Sequence, residues 1–485
     1  MLNSVLFFLL ITNVFCKYKP TWESIDSRPL PSWYDDHKFG IFCHWGVYSV
    51  PAHRSEWLWW YWRGERNPEV LDFIEKNYPP NVQYSDFAKD FKADLFDPNE
   101  FAKIVKSAGA KYFVLTSKHH EGFTMWPSTS SYIWNAVDSG PKQNIVEKLS
   151  ESMTAQNITF GLYYSLFEWF HPLYLNDGKK NLTAYRENVV FPQIYDLINT
   201  YKPKILWSDG DWERSEEYWQ SKELLAWLYN ESPVKDSIVV NDRWGEGVMG
   251  KHGGFLTFSD HYDPGVLQPR KWENCFSMDK KSWGYRADIE VEDVHTPYEV
   301  IAQIARTVSC GGNVLVNVGP DSHGRIPLIV QDRLQEVGEF LGDVEEALYG
   351  SKPWIFQNDT SDTWYTARYQ GENEEQELYS KQDAAKTIIY AWVLNTSFDK
   401  IVLEHIKPTA KTEIKILGTK TVLKPGKSSN ILEIDSKLIP WRYLPRGDII
   451  VLRIDNATPR RLHSSHIRRR QKLDFENIAD NDFWI

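Results

Sequence analysis

The feature that most narrows the possible folds is an alternation, repeated from about residue 17 to 350, of short apolar runs with amphipathic helical stretches. The clearest unit begins at Asp97-Pro98-Asn99-Glu100, which offers an N-cap, a proline at the first helical position and a glutamate at the third. Phe101, Ile104, Val105 and Ala108 then recur at i, i+3, i+4 and i+7, and Gly109 ends the helix. A strand follows at 112–116. Similar units lead to apolar runs at 158–164, 205–208, 238–241 and 314–318, and a last amphipathic helix carries Leu334, Val337, Phe340, Leu341, Val344 and Leu348. Continuously apolar strands between helices are buried on both faces, which calls for a parallel sheet covered by helices.

An open doubly wound sheet and a (β/α)8-like, TIM-type barrel both meet that demand. The barrel is favoured because no GxGxxG or Walker loop follows any strand. Polar residues instead stand just beyond several different strands: His44 after 39–43, His119-His120 after 112–116, Asp209 after 205–208, and Asp242-Arg243 after 238–241. A barrel collects the C-terminal ends of its strands at one mouth, where barrel enzymes do their chemistry. After Lys352-Pro353 the texture changes. Short strands at 364–368, 387–394, 413–417 and 449–454, set between turns, predict a compact antiparallel β-sandwich. A chain of 485 residues exceeds one ordinary core. The expected division is a signal peptide at 1–16, the barrel at 17–350, the sandwich at 351–456 and a charged, flexible tail at 457–485.

The leader reading rests on the largely apolar run from Val5 to Phe15, too short to span a bilayer and followed by a polar Lys17. Six N-glycosylation sequons, at Asn157, Asn181, Asn230, Asn358, Asn395 and Asn456, fit an exported glycoprotein. The setting expected is secretion or the lysosome, with no membrane span. Beyond Cys16, only Cys43, Cys275 and Cys310 remain, so there is neither a disulfide framework nor a CxxC zinc pair. A formal charge of −11 opposes nucleic-acid binding. The one basic cluster, Arg460, Arg461, Arg468, Arg469, Arg470 and Lys472, reads as a solvated extension. Aromatic residues make up 15% of the chain, with 22 Trp, and their flat faces suit the C–H faces of sugars.

The chemistry centres on Leu206-Trp207-Ser208-Asp209-Gly210-Asp211-Trp212, where an apolar strand delivers a carboxylate beside two indoles. Asp209 is either a helix cap or one of the two carboxyls that glycoside hydrolysis requires. A nucleophilic carboxylate must be ionised, and Arg243 and the paired histidines are candidates to keep it so. His119 and His120, as neighbours on a strand, are expected to point to opposite sides, one to a ligand and one bracing it.

Five motifs then fall in series: Phe42-Cys43-His44-Trp45-Gly46, Lys118-His119-His120-Glu121-Gly122-Phe123, Trp207-Ser208-Asp209-Gly210, Asn241-Asp242-Arg243-Trp244-Gly245 and Gly311-Gly312-Asn313. Together they resemble the glycoside hydrolase family 29 α-L-fucosidases, from about Tyr18 to Trp354. The resemblance implies a retaining exo-enzyme that works through a covalent fucosyl intermediate, with fucosylated glycans as substrate and no metal or organic cofactor. Relatives often form homo-oligomers. On that pattern Asp209 aligns with the nucleophile. Asp260 is the preferred acid/base and Glu273, between Trp272 and Asn274, the runner-up. The resemblance carries His44, Glu56, Trp57, His119, His120, Tyr163, Trp207, Arg243 and Trp283 over as fucose-binding residues. The alternative is a fucose-binding glycoprotein that kept the pocket and lost turnover.

Overall fold

The computed structural model describes residues 18–359, 362–369, 387–397, 399–426 and 430–460. The leader at 1–16 and, within the tail, Arg461, Arg468, Arg469, Arg470 and Lys472 lie outside the described residues.

Seven strands build the first sheet: β1 (Phe39–Cys43), β2 (Tyr112–Lys118), β3 (Thr159–Ser165), β4 (Ile205–Asp209), β5 (Val239–Val240), β6 (Trp272–Ser277) and β7 (Gly312–Val318). Their spatial order is β5-β4-β3-β2-β1-β7-β6, and every ladder is parallel. Residues 255 and 256 span the gap between the two edge strands. The Phe255 amide donates to the Val240 carbonyl at 3.0 Å, and Leu256 pairs in parallel with Trp272. This short eighth stave curls the sheet into a barrel, and it excludes the open sheet. Backbone groups at both edges are satisfied by it, as burial demands.

The helices lie outside. Pro98–Ser107 starts where its cap predicts: the Asp97 carboxylate accepts from the amides of Asn99 and Glu100. Its apolar stripe, Phe101, Ala102 and Val105, is buried. Pro297–Ser309 opens on a reciprocal capping box between Thr296 and Glu299. Leu334, Val337, Phe340 and Leu341 of Leu328–Asp343 are buried in the same core.

In the C-terminal region the strands Val422–Leu423, Glu413–Ile416, Ile450–Asp455, Thr387–Val393, Thr363–Tyr369 and Lys352–Asp359 form one antiparallel sheet in that order. Alternate side chains serve two cores. Trp364, Ile388, Tyr390, Trp392 and Val451 pack into the barrel's hydrophobic core. Tyr365, Ile389, Ala391, Val393 and Leu452 face the other way, toward Ile401, Leu403, Leu432 and Ile434 of a two-stranded ladder (Lys400–Leu403 with Leu432–Asp435). Among the described residues, the second layer over this core comes from that ladder together with Ile406 of another, Ile406–Lys407 with Thr458–Pro459, and the barrel's helices cover the first layer's opposite face.

Candidate active site

Strand periodicity sets the site. On β4, Trp207 and Asp209 lie two residues apart and so share the face that points into the barrel. Tyr163 on β3 is in register with Trp207, and its hydroxyl donates to Asp209 Oδ2 at 2.7 Å. Arg243, three residues beyond the point where β5 hands over to the 255–256 stave, donates from Nη1 to Asp209 Oδ1 at 3.0 Å. Burial by itself would raise the Asp209 pKa, but the Arg243 charge and the Tyr163 hydroxyl outweigh it and hold the carboxyl below its usual range. Asp209 caps no helix: the next helix, Glu216–Trp219, is capped by the Ser215 side chain. Gly210 follows at φ 77°, where a Cβ would sit 2.8 Å from the Phe167 ring, so the sharp exit from the strand requires glycine.

Arg243 is itself fixed on three sides. Its Nε donates to Thr257 Oγ1 at 3.1 Å, and Thr257 donates on to Asp242. Its guanidinium stacks 4.7 Å from the centroid of Trp207. Its Nη2 donates to Asp260 Oδ1 at 2.5 Å. One guanidinium thus bonds both carboxylates and sets them as a pair at the pocket, as glycoside hydrolysis requires. Asp260 is the exposed member of the pair, with 41% of its side chain open to solvent against 11% for Asp209. It sits between Phe258 and His261, both in the left-handed region at φ 55° and 57°. Neither is glycine, so this loop carries backbone strain next to the site.

Three buried imidazoles complete the polar wall. The Asn317 amide nitrogen is committed to Ser277 Oγ and the Trp283 carbonyl, so its oxygen faces His44 Nδ1 at 2.7 Å. That network makes Nδ1 the donor and leaves Nε2 as an acceptor. Burial pushes His44 down to about 4, and the same cause takes His120 to about 4. His120 Nδ1 is held by Ser165 Oγ at 2.6 Å, and its Nε2 stands 3.6 Å from Asp209 Oδ2. The expectation that His119 and His120 would diverge is corrected. β2 ends at Lys118, so strand alternation does not govern them; their rings lie 4.2 Å apart and both line the pocket. Glu56 is buried and accepts from the amides of Trp283 and Gly284, at 3.1 and 2.9 Å. This bond pins the β6–β7 loop that carries Trp283.

The resulting cavity measures about 90 Å³. At 10–15 Å³ per water it takes roughly six to nine waters, the room of a single sugar ring. His44, Glu56, Trp57, His119, His120, Tyr163, Trp207, Asp209, Arg243, Asp260 and Trp283 all line it. Two further walls, Phe42 and Trp212, were not singled out as site residues, although both stand inside the motifs quoted above. Glu273 is not in this wall. Its Oε2 accepts from the hydroxyls of Tyr34 and Tyr112, both at 2.7 Å, and its Oε1 from Trp207 Nε1 at 2.9 Å. It is 1% exposed, and burial raises its pKa despite those donors.

A pocket sized for one ring, set beyond the C-terminal ends of the barrel strands beside paired carboxyls, belongs to the class of exo-acting barrel glycoside hydrolases. Comparison with known proteins makes the class particular. The α-L-fucosidase family profile matches residues 9–346. A Caenorhabditis elegans protein named as a candidate α-L-fucosidase is 55% identical over 93% of this chain and 95% of its own length. Human plasma α-L-fucosidase is 47% identical over 83% and 84%. The crystal structure of Thermotoga maritima α-fucosidase in complex with fucose superposes with a TM-score of 0.72 at 31% identity, covering 90% of this chain and 100% of that one. The chain belongs to the α-L-fucosidase family and is a glycoside hydrolase. Nothing supports the alternative of a pocket kept without turnover.

Proposed function

We propose that the chain removes terminal α-L-fucose from glycoconjugates, with Asp209 as nucleophile and Asp260 as acid/base. The observation that carries this reading is the Arg243 bridge between the two carboxyls, 3.0 Å to one and 2.5 Å to the other. In the first step Asp209 attacks the anomeric carbon while Asp260 gives a proton to the leaving oxygen. In the second, Asp260 takes a proton from water, which attacks the same carbon and frees Asp209, so configuration is retained. Arg243 favours the ionised form of Asp209, which suits the nucleophile. Asp260 has to reach the leaving oxygen, and its exposure and the strained residues on either side support such a movement. Glu273, enclosed by three donors and outside the sugar pocket, serves the scaffold.

The test is release of 4-nitrophenol from an aryl α-L-fucoside by the purified protein, with azide rescue of Asp260→Gly and Glu273→Gly side by side. Rescue of the Asp260 variant alone is expected. Rescue of the Glu273 variant alone would move the acid/base to Glu273, and an inert wild-type protein would end the reading.

We further propose a secreted or lysosomal setting, supported by the apolar leader and the sequons. Asn157 and Asn181 are exposed and make the best acceptors, whereas the Asn230 amide is committed to the backbone of Tyr18. Among the described residues no helix is long and apolar enough to cross a membrane. Cys43, Cys275 and Cys310 are all buried and unpaired, so an oxidising compartment would not reach them. Imidazoles that stay neutral down to about 4 keep the pocket's hydrogen-bonding pattern intact in acid. Glycopeptide mass spectrometry of the secreted protein checks the sequons; glycan at Asn230 with Asn157 and Asn181 bare would reverse the assignment.

A further inference from the structure

His119 of the sugar pocket stands at the start of a tight turn. The segment His119-His120-Glu121-Gly122 closes with the Gly122 amide donating to the His119 carbonyl at 3.0 Å. Gly122 takes φ 84° at the last position, where a β-turn favours glycine, and a Cβ there would also fall 2.3 Å from Glu168 Oε2. The turn folds the Glu121 side chain back toward the ring of His119, with Glu121 Oε2 3.7 Å from His119 Nδ1. Trp134 Nε1 fixes the turn by donating to the Glu121 carbonyl at 3.0 Å. Space for the carboxyl depends on Gly46, where a Cβ would approach Glu121 Oε1 to 3.2 Å and Tyr48 Cε1 to 2.9 Å.

Both atoms of that facing pair are buried, and among the described residues neither has a hydrogen-bond partner. Buried polar atoms are seldom left unpaired, and a small turn of the carboxyl closes the 3.7 Å gap to a hydrogen bond. The charge of Lys118 bears on Glu121, but its Nζ is committed to Glu168 Oε1 at 3.1 Å, Tyr185 OH at 3.1 Å and Tyr164 OH at 3.2 Å. Burial, with like charge from Glu168 and Glu56, pushes the Glu121 carboxyl up to about 8, and burial holds His119 well below its usual range. In mildly acidic to neutral solution both groups are therefore uncharged.

We propose that Glu121 is the positioning residue that sets the proton on His119: its carboxyl O–H donates to Nδ1, so the ring presents Nε2–H to the sugar as a donor. The inference rests on the fucosidase reading and deepens it. A carboxyl O–H is a stronger donor than an imidazole N–H, and a bare ring nitrogen a stronger acceptor than a carboxyl oxygen, so the bond runs from acid to ring. Nδ1 is shut away from the pocket that His119 lines, which leaves Nε2 for the ligand. Glu121 does not itself line the pocket, so it acts through the ring. Tyr163 holds that ring face-on, 5.6 Å away and 9° from parallel, and Tyr48 meets it edge-on at 5.7 Å. His44 offers the reverse polarity, with Nδ1 as its donor toward Asn317 and Nε2 as its acceptor. Two imidazoles 5.6 Å apart thus give the pocket one donor and one acceptor, a pattern that reads the arrangement of hydroxyls on a single sugar ring.

The experiment measures kcat/KM on 4-nitrophenyl α-L-fucoside for Glu121→Leu, Glu121→Gln and Gly46→Ala, each alone and in a His119→Ala background. Glu121→Leu, similar in size but without a donor, is expected to lower kcat/KM about tenfold, the scale of one hydrogen bond to the sugar. A glutamine amide donates but carries no charge, so Glu121→Gln should stay within about threefold of wild type. Gly46→Ala, which crowds the carboxyl, should act in the direction of Glu121→Leu, and it carries the test if that variant fails to fold. In the His119→Ala background Glu121→Leu and Gly46→Ala should change kcat/KM by no more than about twofold further, because both act through the missing ring. A loss that persists in full without His119 would reduce Glu121 to scaffold and overturn the proposal. So would a Glu121→Gln protein as impaired as Glu121→Leu, which would mark an ionised carboxylate. Unchanged turnover in both Glu121→Leu and Gly46→Ala would overturn it too. If the wild-type protein is inert on the fucoside, the fucosidase reading falls instead, and the two failures are told apart.

Discussion

Asp209 and Glu273 are both buried carboxyls inside one barrel, joined through Trp207, yet their surroundings differ in kind. Asp209 meets a guanidinium, a tyrosine hydroxyl and an open pocket. Glu273 meets two tyrosine hydroxyls and an indole N–H, with no cation in hydrogen-bond contact. A charge nearby lowers one pKa below its ordinary value; neutral donors fail to offset burial, so the other is raised. The lesson is that burial does not mark a catalytic acid. The partner and the access do: an ionised carboxylate with room for a substrate in one case, a packed hydrogen-bond acceptor in the other.

The largest effect that probes this contrast is on turnover. Asp209→Ala should lower kcat by at least about a thousandfold, because the covalent route loses its nucleophile, while the fold is retained as Arg243 still has Asp260. A variant within about tenfold of wild type would break the comparison. Next comes Arg243→Met, which removes the cation shared by both carboxyls. It should cut kcat/KM by about a hundredfold or more and destabilise by about 3–5 kcal/mol, read by urea denaturation, since it leaves Asp209 buried and unpaired.

Much of this contrast was legible in the sequence, and the exceptions have physical causes. Asp209 and Arg243 stand beyond apolar runs whose burial is plain from composition. β6 was not marked as a strand because Glu273, Asn274 and Ser277 interrupt its apolar character, and only the fold supplies Tyr34, Tyr112 and Thr307 to satisfy them. The stave at residues 255–256 is too short for any periodicity. Trp212 was visible in its motif, but that its indole reaches across to Trp57 depends on the turn at Gly210. The histidine pair was misjudged by the point at which β2 ends.

Smaller effects sharpen the comparison from the scaffold side. Glu273→Ala strands three buried donors and should cost about 3–5 kcal/mol in urea denaturation, at about 1–3 kcal/mol for each donor with some relief by repacking. The soluble variant should keep kcat within about tenfold, unlike Asp209→Ala. A stable Glu273→Ala protein without activity would place Glu273 in the chemistry.

The smallest effect is a matter of sign. The folded pKa of Asp209 is lowered, so its contribution to stability is present above the unfolded value of about 3.8 and is lost as pH falls through the folded value. The folded pKa of Glu273 is raised, so its contribution is present below about 4.5 and is lost as pH rises through the folded value. Asp209→Asn should therefore flatten the acid side of the stability profile, and Glu273→Gln the side above about 4.5. Urea midpoints collected across pH would show the two variants departing from wild type on opposite sides, and departures on the same side would contradict the assigned environments.

The central claim is that Asp209 is the group that attacks the sugar, and trapping tests it most directly. Incubation with 2-deoxy-2-fluoro-α-L-fucosyl fluoride, then peptide mass spectrometry, should find one fluorofucosyl group esterified to Asp209 in the Trp207–Asp211 segment. A label on Asp260, Glu273 or any other carboxyl, with Asp209 unmodified, would contradict it.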